Sequence, residues 1–347
     1  MRTPAKPPPA KLDLREIGSR LRVYRLGARA SAAALARKLG VSRAALYRIE
    51  DGQMIKIEVL ERLAQMLGTS LPSLLGAGVE YHPRAPSYFA RMQQLESGAE
   101  RIVAHFNPVS YLLTSDAYSQ SMRTMLEESV PADPRVRPAA LAEARAVWQI
   151  LEARKRAARI RRPAIVNLVG VPEIERLLDI GLVGRLDLPE AERARRRLAA
   201  CLEVEHLASL MEHEPFGTQI GLIEDTLPNV TFQLFYAGAE VRLAVSPFRL
   251  GELPNVRFGV ASVTAAREAV SLYEALVKEL WARSLRGRAG ARRLRELAGA
   301  ARAASAGGGV RRREMRRRRR APPTTSPARA GSSRPRPPVP RPGSRPS

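Results

Sequence analysis

Cysteine occurs once in the 347 residues, at Cys201. No disulfide can form within one chain, so the fold has to be held by burial, as suits a reducing compartment. Lying mid-helix, Cys201 reads as a small core residue. Histidine occurs four times, at His82, His105, His206 and His213, and all four fall in helix or linker contexts, which excludes a multi-histidine cup on strands. His213-Glu214 is followed by Pro215-Phe216-Gly217, so the second histidine of a zinc-peptidase helix is missing. His206 and His213, with Glu205, Glu212 and Glu214 nearby, read as polar residues near a helix end rather than as metal ligands. Past Lys155 the chain holds one further lysine, Lys278, whose amphipathic surroundings look structural and offer no Ser/Lys self-cleavage dyad. No glycine-rich loop suited to phosphate occurs. No apolar run reaches the length of a membrane span, and the N-terminus lacks the apolar segment of a signal peptide. The expectation is a cytoplasmic protein that is not an enzyme, with no cofactor, no metal and no membrane.

Basic residues are abundant but unevenly placed. The formal net charge is +24. Residues 1–76 hold 14 basic and 6 acidic residues, 77–285 hold 25 and 26, and 286–347 hold 19 and 2. The middle is neutral, so attraction to a polyanion is concentrated in the first segment and the last. The last carries RRREMRRRRR at 311–320 followed by Pro-rich sequence; with few residues able to build a core, 286–347 is expected to be a disordered basic tail. Three readings of it stay open: sequence-independent grip on DNA, affinity for another polyanion, or a shifted GC-rich reading frame. Residues 1–11 read as a flexible Pro-rich arm.

Residues 17–75 have the spacing of a helical DNA-reading head. An apolar-patterned helix over 32–39 meets a Gly40-Val41-Ser42 turn and a second helix over 43–50. Gly40 suits a left-handed turn residue, Val41 plugs the wedge between the helices, and Ser42 is a good N-cap. Leu35, Ala36, Leu39, Leu46 and Ile49 form one apolar seam, leaving Arg43, Ala44, Tyr47 and Arg48 on the free side.

With these residues in place, 14–75 resembles the XRE family, the helix-turn-helix of phage Cro and phage repressors. The likeness rests on Gly18, Leu21, Arg25, Leu35, Ala36, Gly40, Val41, Ser42, Ile49, Glu50, Gly52, Leu60, Leu63, Ala64, Leu67, Gly68 and Leu74. It implies a structural ion pair between Arg25 and Glu50, base-edge contacts from Arg43, Ala44 and Arg48, and a place near the phosphate backbone for Ser42. Where the family often has a polar residue in the first turn of its second helix, this chain has Ala32, Ala33 and Ala34. Arg29, Arg37, Lys38 and Arg43 are the cations available to supply backbone anchoring instead.

The expected fold is therefore multi-domain. An all-α five-helix head at 12–76 is followed by a linker or helical connector at 77–100. An α+β effector or dimerisation domain with a small sheet follows at 101–285, and the disordered tail completes the chain. Helices are expected over 87–104, 115–129, 139–160, 172–180, 189–214 and 265–285, and strands over 163–169, 219–224, 231–236, 241–247 and 256–263. This order resembles the C-terminal domains of some bacterial XRE-type regulators. The cations 154–162 read as a solvated helix end. Phe248 and Arg249, on an irregular connection between strands, are candidate ligand residues at a pocket rim. The expected partners are double-stranded DNA, a second copy of the chain and an unknown small-molecule effector, with the helix over 265–285 contributing to the dimer. A DNA-tethering module without a promoter and an autoregulated enzyme are the alternatives.

Overall fold

In the N-terminal segment of the computed structural model, four of the helices begin where a side chain can replace the missing backbone acceptor. The model describes residues 13–53, 56–76, 78–225 and 227–320, and the arm expected at 1–11 lies outside them. Asp13 caps α1 (Leu14–Gly27), Ser31 caps α2 (Ala32–Leu39) and Ser42 caps α3 (Arg43–Glu50). Then come α4 (Ile57–Met66) and α5 (Leu71–Leu75), the latter capped by Ser70. Leu21, Tyr24, Leu35, Ala36, Leu39, Leu46, Leu63 and Leu74 make one shared core.

The chain continues through β1 (Val79–His82), α6 (Ala85–Gly98), β2 (Arg101–His105), α7 (Asp116–Glu128), α8 (Arg137–Arg161), β3 (Ala164–Gly170), α9 (Val171–Ile180) and α10 (Glu190–His213). It then forms β4 (Thr218–Ile223), β5 (Thr231–Ala237), β6 (Glu240–Ser246), β7 (Ala261–Thr264), α11 (Arg267–Arg283) and α12 (Gly287–Arg320). The sheet has seven strands in the order β1-β7-β6-β5-β2-β3-β4. The β2–β3 and β3–β4 pairs are parallel and the rest antiparallel. One face packs on the helical core with Phe89, Tyr118, Val147 and Val204; the other lies under α11. No described helix is long and apolar enough to cross a membrane.

Three expectations need correction. The small sheet is a seven-stranded one, because β1 was read as linker and β2 as the end of a helix. Ile102, Val103 and Ala104 are all buried, and a continuous apolar run of this kind gives no alternating signal. His82 and His105 accordingly stand on strands. The connector at 77–100 is part of the packed structure, since β1 forms a sheet edge and α6 supplies buried Tyr88, Phe89 and Met92. The tail does not start at 286: Ala291, Leu294, Leu297 and Ala298 repeat on one side of α12 and join the main core. Averaged over 62 positions rich in arginine, proline, glycine and serine, that short stripe was invisible. The apolar side of α11 lies on the sheet, with Val270 and Leu280 buried.

Candidate nucleic-acid interface

The turn between α2 and α3 is built as its residues dictate. Gly40 has φ +79°, a left-handed conformation, and ends α2. Two residues later the Ser42 hydroxyl accepts from the Ala45 N–H at 3.1 Å. Leu46 is fully buried, and Glu50 is buried too. These two positions set the rotation of α3, so Ser42, Arg43, Ala44, Tyr47 and Arg48 all stand exposed. Arg43 lies over the Tyr47 ring, 5.4 Å from its centroid, and its Nη2 donates to the Tyr47 hydroxyl at 3.0 Å. The pair presents a cation held by its own helix. Arg37 and Lys38 are exposed in the last turn of α2.

What fixes α3 on the head is a buried fork. Arg25 Nε and Nη2 donate to the two carboxylate oxygens of Glu50 at 2.5 and 2.9 Å. The hydrogen bond to Glu50 raises the Arg25 pKa above its usual value against the opposing effect of burial. Gly18 lets the helices come this close: a Cβ there would lie 2.4 Å from the Glu50 carbonyl oxygen and 2.5 Å from that of Ile49. The pairing implied by the XRE resemblance is thus formed, and Gly18 is the residue that makes room for it.

Other expected site residues are elsewhere. Arg29, given to phosphate anchoring, bonds instead to the Ala139 carbonyl and to Glu143 on α8. Phe248 does not line a pocket rim; it is fully buried against Tyr88 and Phe89. Arg249 pairs with Glu252 and exchanges backbone hydrogen bonds with Asn255, so this segment is a corner of the fold. Arg154 and Lys155 are not a solvated helix end: Arg154 is forked onto Glu96, and Lys155 is buried. His206 Nε2 donates to the Leu113 carbonyl oxygen at 3.0 Å, and no cluster able to hold a metal occurs among the described residues.

Two arrangements were not read from the sequence. Lys155 Nζ lies 2.8 Å from the Ser119 hydroxyl, also donating to the Ser115 carbonyl at 2.7 Å. With both side chains buried, this is a ligated ammonium inside the core, without the exposed hydroxyl a nucleophile needs. The second is a charged joint between head and body. Arg20 donates to the Leu74 and Leu75 carbonyls and to Glu16, while Arg91 is forked onto Glu80 at 2.8 and 2.9 Å. Arg242 reaches Glu16 at 3.5 Å, and Tyr24 stacks on His82 with ring centroids 5.2 Å apart. The one local sign was Arg20 itself, a charge within the Ile17–Leu21–Tyr24 stripe that faces the core.

Neither a curated protein nor a solved structure shows detectable similarity to the chain. Residues 16–75 match the family described as a helix-turn-helix domain, and the capped α2, left-handed Gly40 and capped α3 are that motif in this chain. The N-terminal part of the protein is therefore a helix-turn-helix domain, joined to a mixed helix and sheet body.

Proposed function

We propose that the protein is a sequence-specific, DNA-binding transcriptional regulator of the XRE type that acts as a homodimer. In this reading α3 enters the major groove, Arg43 and Arg48 meet base edges, Ser42 lies beside the backbone, and Arg37 and Lys38 neutralise phosphates. The observation that carries it is the division of α3 into a buried side, Leu46 and Glu50, and an exposed one, Ser42, Arg43, Ala44, Tyr47 and Arg48. One head covers too little duplex for tight specific binding, so two copies on a near-palindrome are expected. The body then serves to dimerise the heads or to sense an effector, and no reaction is assigned to it.

Selection of duplexes from a random pool tests this, with the full chain and with Arg43→Ala/Arg48→Ala at near-physiological salt. The expected outcome is an inverted repeat with half-sites about one helical turn apart, absent for the variant. Equal, steeply salt-dependent binding by both proteins with no enriched motif would mean that general charge carries the affinity, and the regulator reading would fall.

A further inference from the structure

Among the cations expected at the DNA backbone, Arg29 is the one that the body already holds. Its Nη2 donates to Glu143 Oε2 at 2.5 Å and to the Ala139 carbonyl at 3.0 Å, both on the first turns of α8. Glu143 has a second partner, Arg84, whose Nη2 and Nε lie 3.0 and 3.3 Å from its two oxygens. The carboxylate is largely shielded, 14% exposed, whereas the Arg29 and Arg84 side chains are 37% and 41% exposed. A single carboxylate of the body is thus shared between one arginine of the head and Arg84, which immediately precedes α6.

The position of Arg29 gives this sharing a consequence. It lies two residues before Ser31, the cap of α2, and the first helix of a helix-turn-helix is the one that crosses the DNA backbone. The opening turn of α2 is Ala32-Ala33-Ala34, which carries no charge of its own. Arg29 is therefore the cation next to this end of α2, and it is paired with a carboxylate while its side chain stays partly exposed. Release is inexpensive because Arg84 stays on Glu143 when Arg29 leaves, so no unpaired carboxylate is stranded.

We propose that Glu143 competes with a DNA phosphate for Arg29, so that the body sets how many backbone contacts its own head can make. This rests on the DNA-binding reading above and adds its regulation. Anything that moves α8 relative to α1 changes the grip on every sequence alike, since a phosphate contact carries no base information.

The test is a salt titration of the full chain on duplex DNA. It compares wild type, Glu143→Gln, Arg29→Ala and the double variant, with melting curves to establish that each is folded. Glu143→Gln is expected to bind about two- to fivefold tighter and to steepen the plot of log affinity against log salt by about 0.9, one added phosphate contact. Arg29→Ala alone is expected to stay within about twofold of wild type, yet to abolish the gain when combined with Glu143→Gln. The proposal is overturned if Arg29→Ala by itself flattens the wild-type slope by about 0.9, because Arg29 would then already hold a phosphate. It is equally overturned if Glu143→Gln gives no gain, or a gain that survives Arg29→Ala. Arg43→Ala/Arg48→Ala in the same titration separates the two readings. If that variant loses binding while Glu143→Gln is neutral, only the competition falls; if no protein binds duplex, DNA binding falls and the competition with it.

Discussion

Arg25 and Glu50 are a buried pair, and their worth is seen best by removing one partner. Arg25→Ala leaves a carboxylate inside the head with no cation, a change expected to cost about 3–5 kcal/mol, read as a lower urea midpoint. Gly18→Ala acts on the same contact by crowding, since the added methyl meets two carbonyl oxygens of α3 that cannot turn aside; a loss of about 1–3 kcal/mol is expected. If Gly18→Ala melts like wild type, α1 and α3 do not approach as closely as described. The Ser31 cap was not read, the Arg25–Glu50 pair was implied by the resemblance to the XRE family, and the Ser42 cap could be read from the chain because it acts within the first turn of its own helix. The Arg20, Glu80, Arg91 and Arg242 joint could not, for its members come from four elements spread over the chain.

At the scale of elements, α12 is the clearest departure from the sequence reading. Leu294 and Leu297 are buried at 1% and 9% exposure, and Arg295 binds Glu205 and Glu212 of α10 at 2.9 and 2.6 Å. Part of the basic charge attributed to a free tail is therefore used within the fold. Truncation after Arg286 is expected to lower stability by at least about 3 kcal/mol from the two leucines alone, measured by denaturant unfolding. An unchanged midpoint would show that α12 is dispensable. The long helices α8 and α10 and strands β3 to β6 were legible because amphipathic periods and β-branched runs persist over many residues. The four-residue β1 and five-residue β2 are too short for either signal.

For the whole molecule, the joint between head and body decides whether the helix-turn-helix is a bead on a tether. Gly27 lies so close to α6 that a Cβ there would meet the Ser87 Cβ at 2.4 Å, and Gln94 donates to the Ser19 carbonyl at 3.0 Å. The joint also makes stability depend on pH. Burial lowers the His82 pKa below its ordinary value, against the pull of Glu80. The folded chain takes up that proton less readily than the unfolded one, so this contribution is present above about pH 6.5 and is lost as the pH falls. For Glu80, burial by itself raises the pKa. The adjoining His82, 3.8 Å away, and the Arg91 and Arg20 guanidiniums outweigh it and hold the carboxyl down to about 2. Its contribution is present above the ordinary glutamate range and fades as the pH drops from about 4.5 towards 2. His82→Phe, which keeps a ring against Tyr24, is expected to remove the decline between about pH 6.5 and 5. Urea midpoints across that range decide; a variant with the wild-type profile clears His82 of the effect.

By itself the sequence determined the helix-turn-helix: its Ser42 cap, its left-handed Gly40 and the exposed residues of α3, while the ion pair was implied by the resemblance to the XRE family. Those features depend on contacts close along the chain, where spacing alone places side chains on one side of a helix. It also determined that the basic charge is concentrated away from the middle. Only the tertiary structure decided that 79–98 belongs to the sheet and core, that Phe248 is interior, and that Arg29 pairs with Glu143. Arg29 and Glu143 are 114 positions apart, and a partner at that distance is chosen by how whole elements pack, which no local period records.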